Sequence, residues 1–177
     1  MIRIIQIETD DYKNQVEELY SEYLEWVVSN INMELNLNFN VAQVVKEAVD
    51  TSMNEFYKFL PPEGCLFLCK FENQIIGLAS MRRIDGKVGE IKRMYVRPEF
   101  RGKGLGKDLL ESLINKARDL KFLKLRLDTG PFMKEAQGLY KLIGFNEIDP
   151  YQESEVIQNE ILEPIRQNWI FMEMLIK

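Results

Sequence analysis

The periodicity of apolar residues changes at Pro61-Pro62, and that change limits the available folds more than any other feature of the chain. Before it, Val16, Leu19, Tyr20, Tyr23, Leu24, Val27 and Ile31 recur at the spacing of one helical face. After the Asn-rich stretch INMELNLNFN, a second stripe follows with Val41, Val44, Val45, Ala48, Val49, Met53 and Phe56. Both read as core-facing sides of amphipathic helices, the first preceded by the N-cap candidates Thr9, Asp10 and Asp11. Beyond the prolines the pattern turns to strands over 65–71 and 74–82, joined by Glu72-Asn73. Asp85-Gly86 leads into another strand near 88–97, which Pro98 closes.

Further elements complete a mixed set. Residues 2–8 read as a first strand, KLRLDT with Leu123, Leu125 and Leu127 as another, and 145–149 and 169–177 as the last two. Leu105, Leu109, Leu110, Leu113, Ile114, Ala117 and Leu120 form the apolar face of a third helix. A fourth covers 133–143, with Ala136, Leu139, Tyr140 and Ile143 on one side and Gly144 as its C-cap. The acidic connection 150–168 predicts a short helix around Val156–Leu162. No repeat, linker or low-complexity segment divides the chain, so the expectation is one α/β (α+β) domain over residues 1–177. A domain of that length buries enough surface to fold without disulfide or metal.

Composition excludes several function classes. With 23 basic against 28 acidic residues the net charge is -5, which argues against a nucleic-acid-binding surface. The chain has no histidine, so a Ser-His-Asp triad, a Cys-His dyad and an imidazole metal site are all ruled out. Proton transfer must use carboxylates, tyrosines, lysines, a thiol or water. Cys65 and Cys69 lie four apart on a strand, roughly 13 Å by the usual rise and too far for a disulfide. They read as small buried hydrophobes, and no metal is expected. The start MIRIIQIETD lacks the apolar run of a signal peptide, and no apolar stretch approaches the ~20 residues of a membrane span. A cytoplasmic protein without membrane or nucleic-acid partner is the expectation.

The strand near 88–97 runs into Arg101-Gly102-Lys103-Gly104-Leu105-Gly106 and then into a helix. Glycines let a ligand approach the backbone, and the first amides of a helix lack internal partners and sit at the positive end of its dipole. Arg101, Lys103 and Lys107 add charge, so the segment is an anion site in outline. It is not a P-loop, because only three residues separate Gly102 and Gly106 and Asp108 follows Lys107. The spacing G-x-G-x-G also fails the dinucleotide fingerprint G-x-G-x-x-G.

EIKRMYVRPEFRGKGLGKDLLESL followed by LRLDTGPFMKEAQGLYKLIGFNEI resembles the GNAT superfamily of acetyl-CoA-dependent N-acetyltransferases. The resemblance rests on Arg101-x-x-Gly104-x-Gly106 and on the Leu-Tyr-x-x-x-Gly-Phe run from Leu139 to Phe145, and is strong over about residues 65–149. It implies a GNAT-like single domain whose central, mostly antiparallel mixed sheet, flanked by helices, splays open between strands 4 and 5. It also implies that acetyl-CoA lies there as co-substrate. The pantetheine arm would meet Met94, Tyr95 and Val96, and the pyrophosphate would meet Arg101, Gly102, Lys103, Gly104, Leu105, Gly106 and Lys107. The acceptor amine would enter from the other side, walled partly by the N-terminal helices.

The implied reaction is direct attack by a primary amine of a small molecule or peptide. Such an amine is mostly protonated at neutral pH, with a reference pKa near ~10.4, and needs a proton acceptor. Glu90 matches the position of a catalytic glutamate in some members and is the candidate base; Tyr140 matches the tyrosine that serves as general acid toward the CoA sulfur. The Met94 amide would face the developing oxyanion. Met133 stands where many members carry an Asn that contacts the CoA arm.

Other positions keep two readings each. Lys92, Arg93 and Arg97 suit either a solvated face or the CoA phosphates, and Tyr20, Tyr23, Trp26, Phe56 and Tyr57 suit either core or an acceptor pocket. The acidic 150–168 segment would suit a cationic acceptor. The rival readings are a non-catalytic acyl-CoA-binding module of the same fold and an unrelated nucleotide binder. Self-association, a homodimer included, is left open.

Overall fold

The computed structural model describes residues 1–177. A seven-stranded sheet runs through the molecule with the order β1-β2-β3-β4-β5-β7-β6. Its strands are β1 (Ile2–Ile7), β2 (Gly64–Phe71), β3 (Gln74–Asp85), β4 (Val88–Val96), β5 (Lys124–Thr129), β6 (Asn146–Ile148) and β7 (Ile170–Leu175). Every neighbouring pair is antiparallel except β4 with β5. The helices are α1 (Lys13–Leu35), α2 (Val41–Asn54), α3 (Leu105–Asp119), α4 (Lys134–Ile143) and the single-turn α5 (Glu155–Gln158). No helix is long and apolar enough to cross a membrane.

The sheet is covered on both faces, which is why β2 reads as a nearly unbroken apolar run. Leu66 and Leu68 pack with Val16, Leu19, Tyr20 and Val45 under α1 and α2. Cys65 and Cys69 point the other way, among Leu109, Leu110 and Leu113 of α3. Both cysteines are buried and free, and burial pushes their thiols up to about 12. A third cluster joins Val27 and Ile31 of α1 to Tyr151, Val156 and Ile165, and so fastens the acidic connection onto the helical layer.

Three local expectations change. None of Thr9, Asp10 and Asp11 caps α1: Tyr12 holds the N-cap position without a side-chain bond, while Thr9 donates its hydroxyl to Asp11 at 2.8 Å. The second helix ends at Asn54, and Phe56–Phe59 continues as a 3-10 turn. Phe56 and Phe59 are both buried, and a three-residue turn superimposes i and i+3 on one face. Residues 150–168 hold not one helix but α5 followed by a 3-10 stretch, Glu160–Asn168, with Pro164 inside it.

Gly64 opens β2 where the turn behind Phe59 crosses β3. A Cβ there would stand 2.3 Å from the carbonyl oxygens of both Lys58 and Met81, and backbone cannot yield as a side chain tip can. Gly64→Ala is expected to destabilise the domain by about 2 kcal/mol, read as a lowered urea midpoint at unchanged slope; an unchanged midpoint would contradict this packing.

Candidate active site

β4 and β5 pair in parallel only through Val88, Glu90 and the residues between them. From Ile91 onward the strands diverge, and the side of β4 that faces β5 has no strand partner. A register shift against β3 between Leu78 and Ser80 marks a bulge, and Arg93 on β4 carries φ +53 at that place. This is the splay between strands 4 and 5 that the sequence leads one to expect. A cavity of about 660 Å³ fills it.

Most of the expected cofactor residues line that cavity. Met94, Tyr95 and Val96 form one wall, and Arg101, Gly102, Gly104, Leu105, Gly106 and Lys107 close its end. Gly102 and Gly104 adopt φ +74 and +82, conformations that few other residues reach without strain, and Gly104 caps α3 with no side chain to occupy the first amides. A 15-residue helix therefore presents free N–H groups and its positive dipole end to the cavity. Arg101 is fixed beside it, donating from Nε to the Val96 carbonyl at 2.9 Å and lying 5.7 Å from the Tyr95 ring. Lys103 does not join this wall; its ammonium lies over the Phe100 ring at 5.1 Å.

Tyr140 of α4 borders the same cavity, its ring packed 5.8 Å from Phe145. Burial raises its phenol well above the ordinary tyrosine value, with the neighbouring Tyr23 and Asp128 adding to the effect, so the hydroxyl keeps its proton. Met133, at the N-cap position of α4, accepts a contact from the Thr129 hydroxyl at 3.3 Å and lines the cavity where an Asn is common in the resembling family.

Glu90 is elsewhere. It lines neither of the two large cavities, has no exposed surface, and both carboxylate oxygens are engaged. Arg82, directly across the β3–β4 register, donates Nε at 2.8 Å, and the Tyr151 hydroxyl donates at 2.9 Å. Glu90 therefore stands behind Arg82, which lines the second large cavity, and not on the wall that Tyr140 borders, where a base is expected. Strand position identifies a carboxylate but not the partner that arrives 61 residues later in the chain.

A second cavity, of about 460 Å³, lies on the other side of the splay between α1, α2 and the 150–168 connection. The two cavities share Tyr23, Arg93, Asp128, Thr129 and Met133. At this junction stands a carboxylate that the sequence reading missed. Asp128 accepts the Ser154 hydroxyl and the Trp169 indole N–H, each at 2.9 Å, one on each oxygen. Along β5 it alternates onto the same face as Lys124 and Arg126 and so reads as one more surface charge; only the later connection shows otherwise.

The remaining charged candidates are committed to ion pairs. Lys92 and Arg93 both hold Glu155, at 2.9 and 3.1 Å. Burial opposes the charge on Glu155, but the two cations outweigh it and keep its carboxyl far below the usual range. Arg97 binds Glu18 and Glu22 of α1, each at 2.6 Å. Paired and largely buried, these three cations are not a solvated face. Of the aromatic residues, Tyr20 and Phe56 are core, Tyr23 and Trp26 line the cavities, and Tyr57 is exposed.

Comparison with known proteins agrees with this architecture. Residues 13–145 match the acetyltransferase (GNAT) family. The uncharacterized N-acetyltransferase YjgM of Escherichia coli (strain K12) is 29% identical over 127 residues, 70% of this chain and 74% of that protein. The uncharacterized N-acetyltransferase C1271.07c of Schizosaccharomyces pombe is 29% identical over 150 residues, 83% of this chain and 82% of that one. In fold, the crystal structure of PaiA N-acetyltransferase from Thermoplasma acidophilum in complex with coenzyme A superposes with a TM-score of 0.73 at 17% identity, covering 99% of both chains. With the splayed sheet, the uncapped glycine-flanked helix and the matching span all in place, the chain belongs to the GNAT family of acetyltransferases.

Proposed function

We propose that the protein transfers the acetyl group of acetyl-CoA to a primary amine by direct attack, with Asp128 as proton acceptor and Tyr140 as proton donor. The meeting of two cavities at Asp128 carries this reading, because an amine in one then faces a thioester in the other across a single opening. The amine, freed of a proton by Asp128 directly or through water, bonds to the thioester carbon. The carbonyl oxygen takes up charge opposite the Met94 amide at the β4 bulge. As the C–S bond breaks, Tyr140 protonates the departing sulfur, and the protons released by the amine restore the tyrosine through solvent. Pyrophosphate oxygens would lie on the amides of Gly102 to Gly106, with Arg101 and Lys107 beside them.

An acyl-enzyme route is disfavoured by the thiols themselves. Cys65 and Cys69 line neither cavity, and at about 12 their ionisation lies far from neutral pH. A module that merely binds acyl-CoA would have no use for a phenol and a positioned carboxylate on opposite sides of the splay.

Cofactor binding is tested by thermal unfolding. Acetyl-CoA and CoA at ~100 times their Kd should stabilise the fold by about 2.7 kcal/mol, and ATP or NADH should not. Gly104→Val, which places a β-branched residue at φ +82, is expected to weaken acetyl-CoA binding at least tenfold on the scale of about 1–3 kcal/mol for such strain. Unaltered affinity would remove the loop from the cofactor site.

The roles of the two catalytic groups separate kinetically. Tyr140→Phe should lower kcat about 100-fold while acetyl-CoA affinity holds, and Asp128→Asn should lower kcat/KM for the amine by a similar factor. Glu90→Gln should cost stability but leave kcat of the folded fraction within about threefold. Loss of turnover in the Glu90 variant with normal turnover in the Asp128 variant would reverse the assignment.

A further inference from the structure

The acceptor cavity separates its charges in a way that describes a ligand. Its charged lining holds the cations Lys58, Arg82, Lys92 and Arg93 and the carboxylates Glu47, Glu55, Asp128 and Glu155. Within ion-pairing distance these four cations have three carboxylates: Glu55 pairs with Lys58 and Arg82, Glu90 with Arg82, and Glu155 with Lys92 and Arg93. One positive charge is left over, and it falls at the Lys92–Arg93 end, where the buried Lys92 and the largely buried Arg93 share one carboxylate. Arg93 also keeps its Nε buried with no hydrogen-bond partner.

Asp128 is the complementary case. It forms no ion pair, and both its partners, the Ser154 hydroxyl and the Trp169 indole, are neutral. It is near enough to Lys92 that its charge helps to keep that lysine protonated. A free negative charge and an excess positive charge therefore share one cavity at short range. Between α1 and the 150–168 connection the remaining wall is apolar, with Val27, Val28, Ile31, Val156, Leu162 and Ile165.

We infer that the acceptor is an α-amino acid with an apolar side chain, its amine directed to Asp128 and its carboxylate to the Lys92–Arg93 pair. This rests on the acetyltransferase reading above. A buried charge is tolerated only when it is paired, and a zwitterion pairs both ends while its side chain meets the apolar wall. A polyamine would bring a second cation to the end that is already positive. The acidic connection does not serve a cationic acceptor, since Glu155 is consumed by Lys92 and Arg93, and Glu153 lies 3.8 Å from Arg126 outside this cavity. Transfer yields the N-acetyl amino acid and CoA, the amine losing its proton as the C–N bond forms and the C–S bond breaks.

The test uses the full-length protein with acetyl-CoA and matched acceptors: leucine, methionine and phenylalanine, their carboxamides, and spermidine. CoA release is followed with mass detection of the acetylated product. The free acids should exceed their amides at least 30-fold in kcat/KM, and Lys92→Met should compress that preference to within about threefold. Because Lys92 is buried, the acid-to-amide ratio of the unmodified protein decides the matter even where the variant does not fold. Equal use of acid and amide, or preference for spermidine, overturns the amino-acid assignment and leaves the transferase reading standing. Acetyl-CoA binding with no amine acetylated overturns both.

Discussion

The architecture of the site follows from a parallel pairing that stops early. β4 and β5 share a ladder only from Val88 to Glu90, and the strands then part. Adjacent strands stay together when their backbone groups have each other as partners, so separation leaves a row of N–H and C=O groups that some other molecule must satisfy. Here the gap becomes the wall on which an extended acyl carrier can lie, while Arg93 at φ +53 turns the β4 backbone at the widest point. The helix that follows must then start at the end of the same gap, and Gly102 and Gly104 give the chain the left-handed turns needed to place it there.

Holding such an opening requires support from outside the sheet. The 150–168 connection supplies much of it: Tyr151 to Glu90, Ser154 to Asp128 and Glu155 to Lys92 and Arg93 each reach β4 or β5 from one short stretch. Apolar burial of Val156 and Ile165 against Val27 and Ile31 anchors it. Buried ion pairs of this kind add little net stability over a well-packed apolar alternative, but losing one partner costs about 3–5 kcal/mol because the other charge is stranded. Their value here is geometric, since they fix which carboxylate faces the junction.

Elements governed by local pattern were legible in the sequence. The helical stripes from Val16 to Ile31 and Val41 to Met53, the alternating strands after Pro62 and the glycine loop all lie where periodicity and turn chemistry put them, because each depends on neighbours within a few residues. Tyr140 stood out through its place in a short run ending at Gly144-Phe145, and it borders the cavity of the splay. Less legible was which carboxylate stands where the two cavities meet. Glu90 and Asp128 both sit on strands beside the splay, and their difference lies in Arg82, Tyr151, Ser154 and Trp169, which long-range folding brings to them. The cap of α1 failed for the opposite reason: three good capping residues compete, and Thr9 and Asp11 satisfy one another.

Arg93 ties the two halves of the site together. Its backbone makes the bulge next to Met94, on the wall proposed for the acetyl donor, and its guanidinium reaches the other cavity to hold Glu155 and the Ser52 hydroxyl. A non-glycine residue at positive φ costs about 1–3 kcal/mol and persists only where surrounding contacts impose it. The contacts that impose it here belong to the side proposed for the acceptor. An acceptor carboxylate arriving at Lys92 and Arg93 would draw on the same guanidinium that keeps the bulge in place, so acceptor binding and the position of the Met94 amide cannot be independent. Recognition of the amine's own molecule would then also set the oxyanion donor.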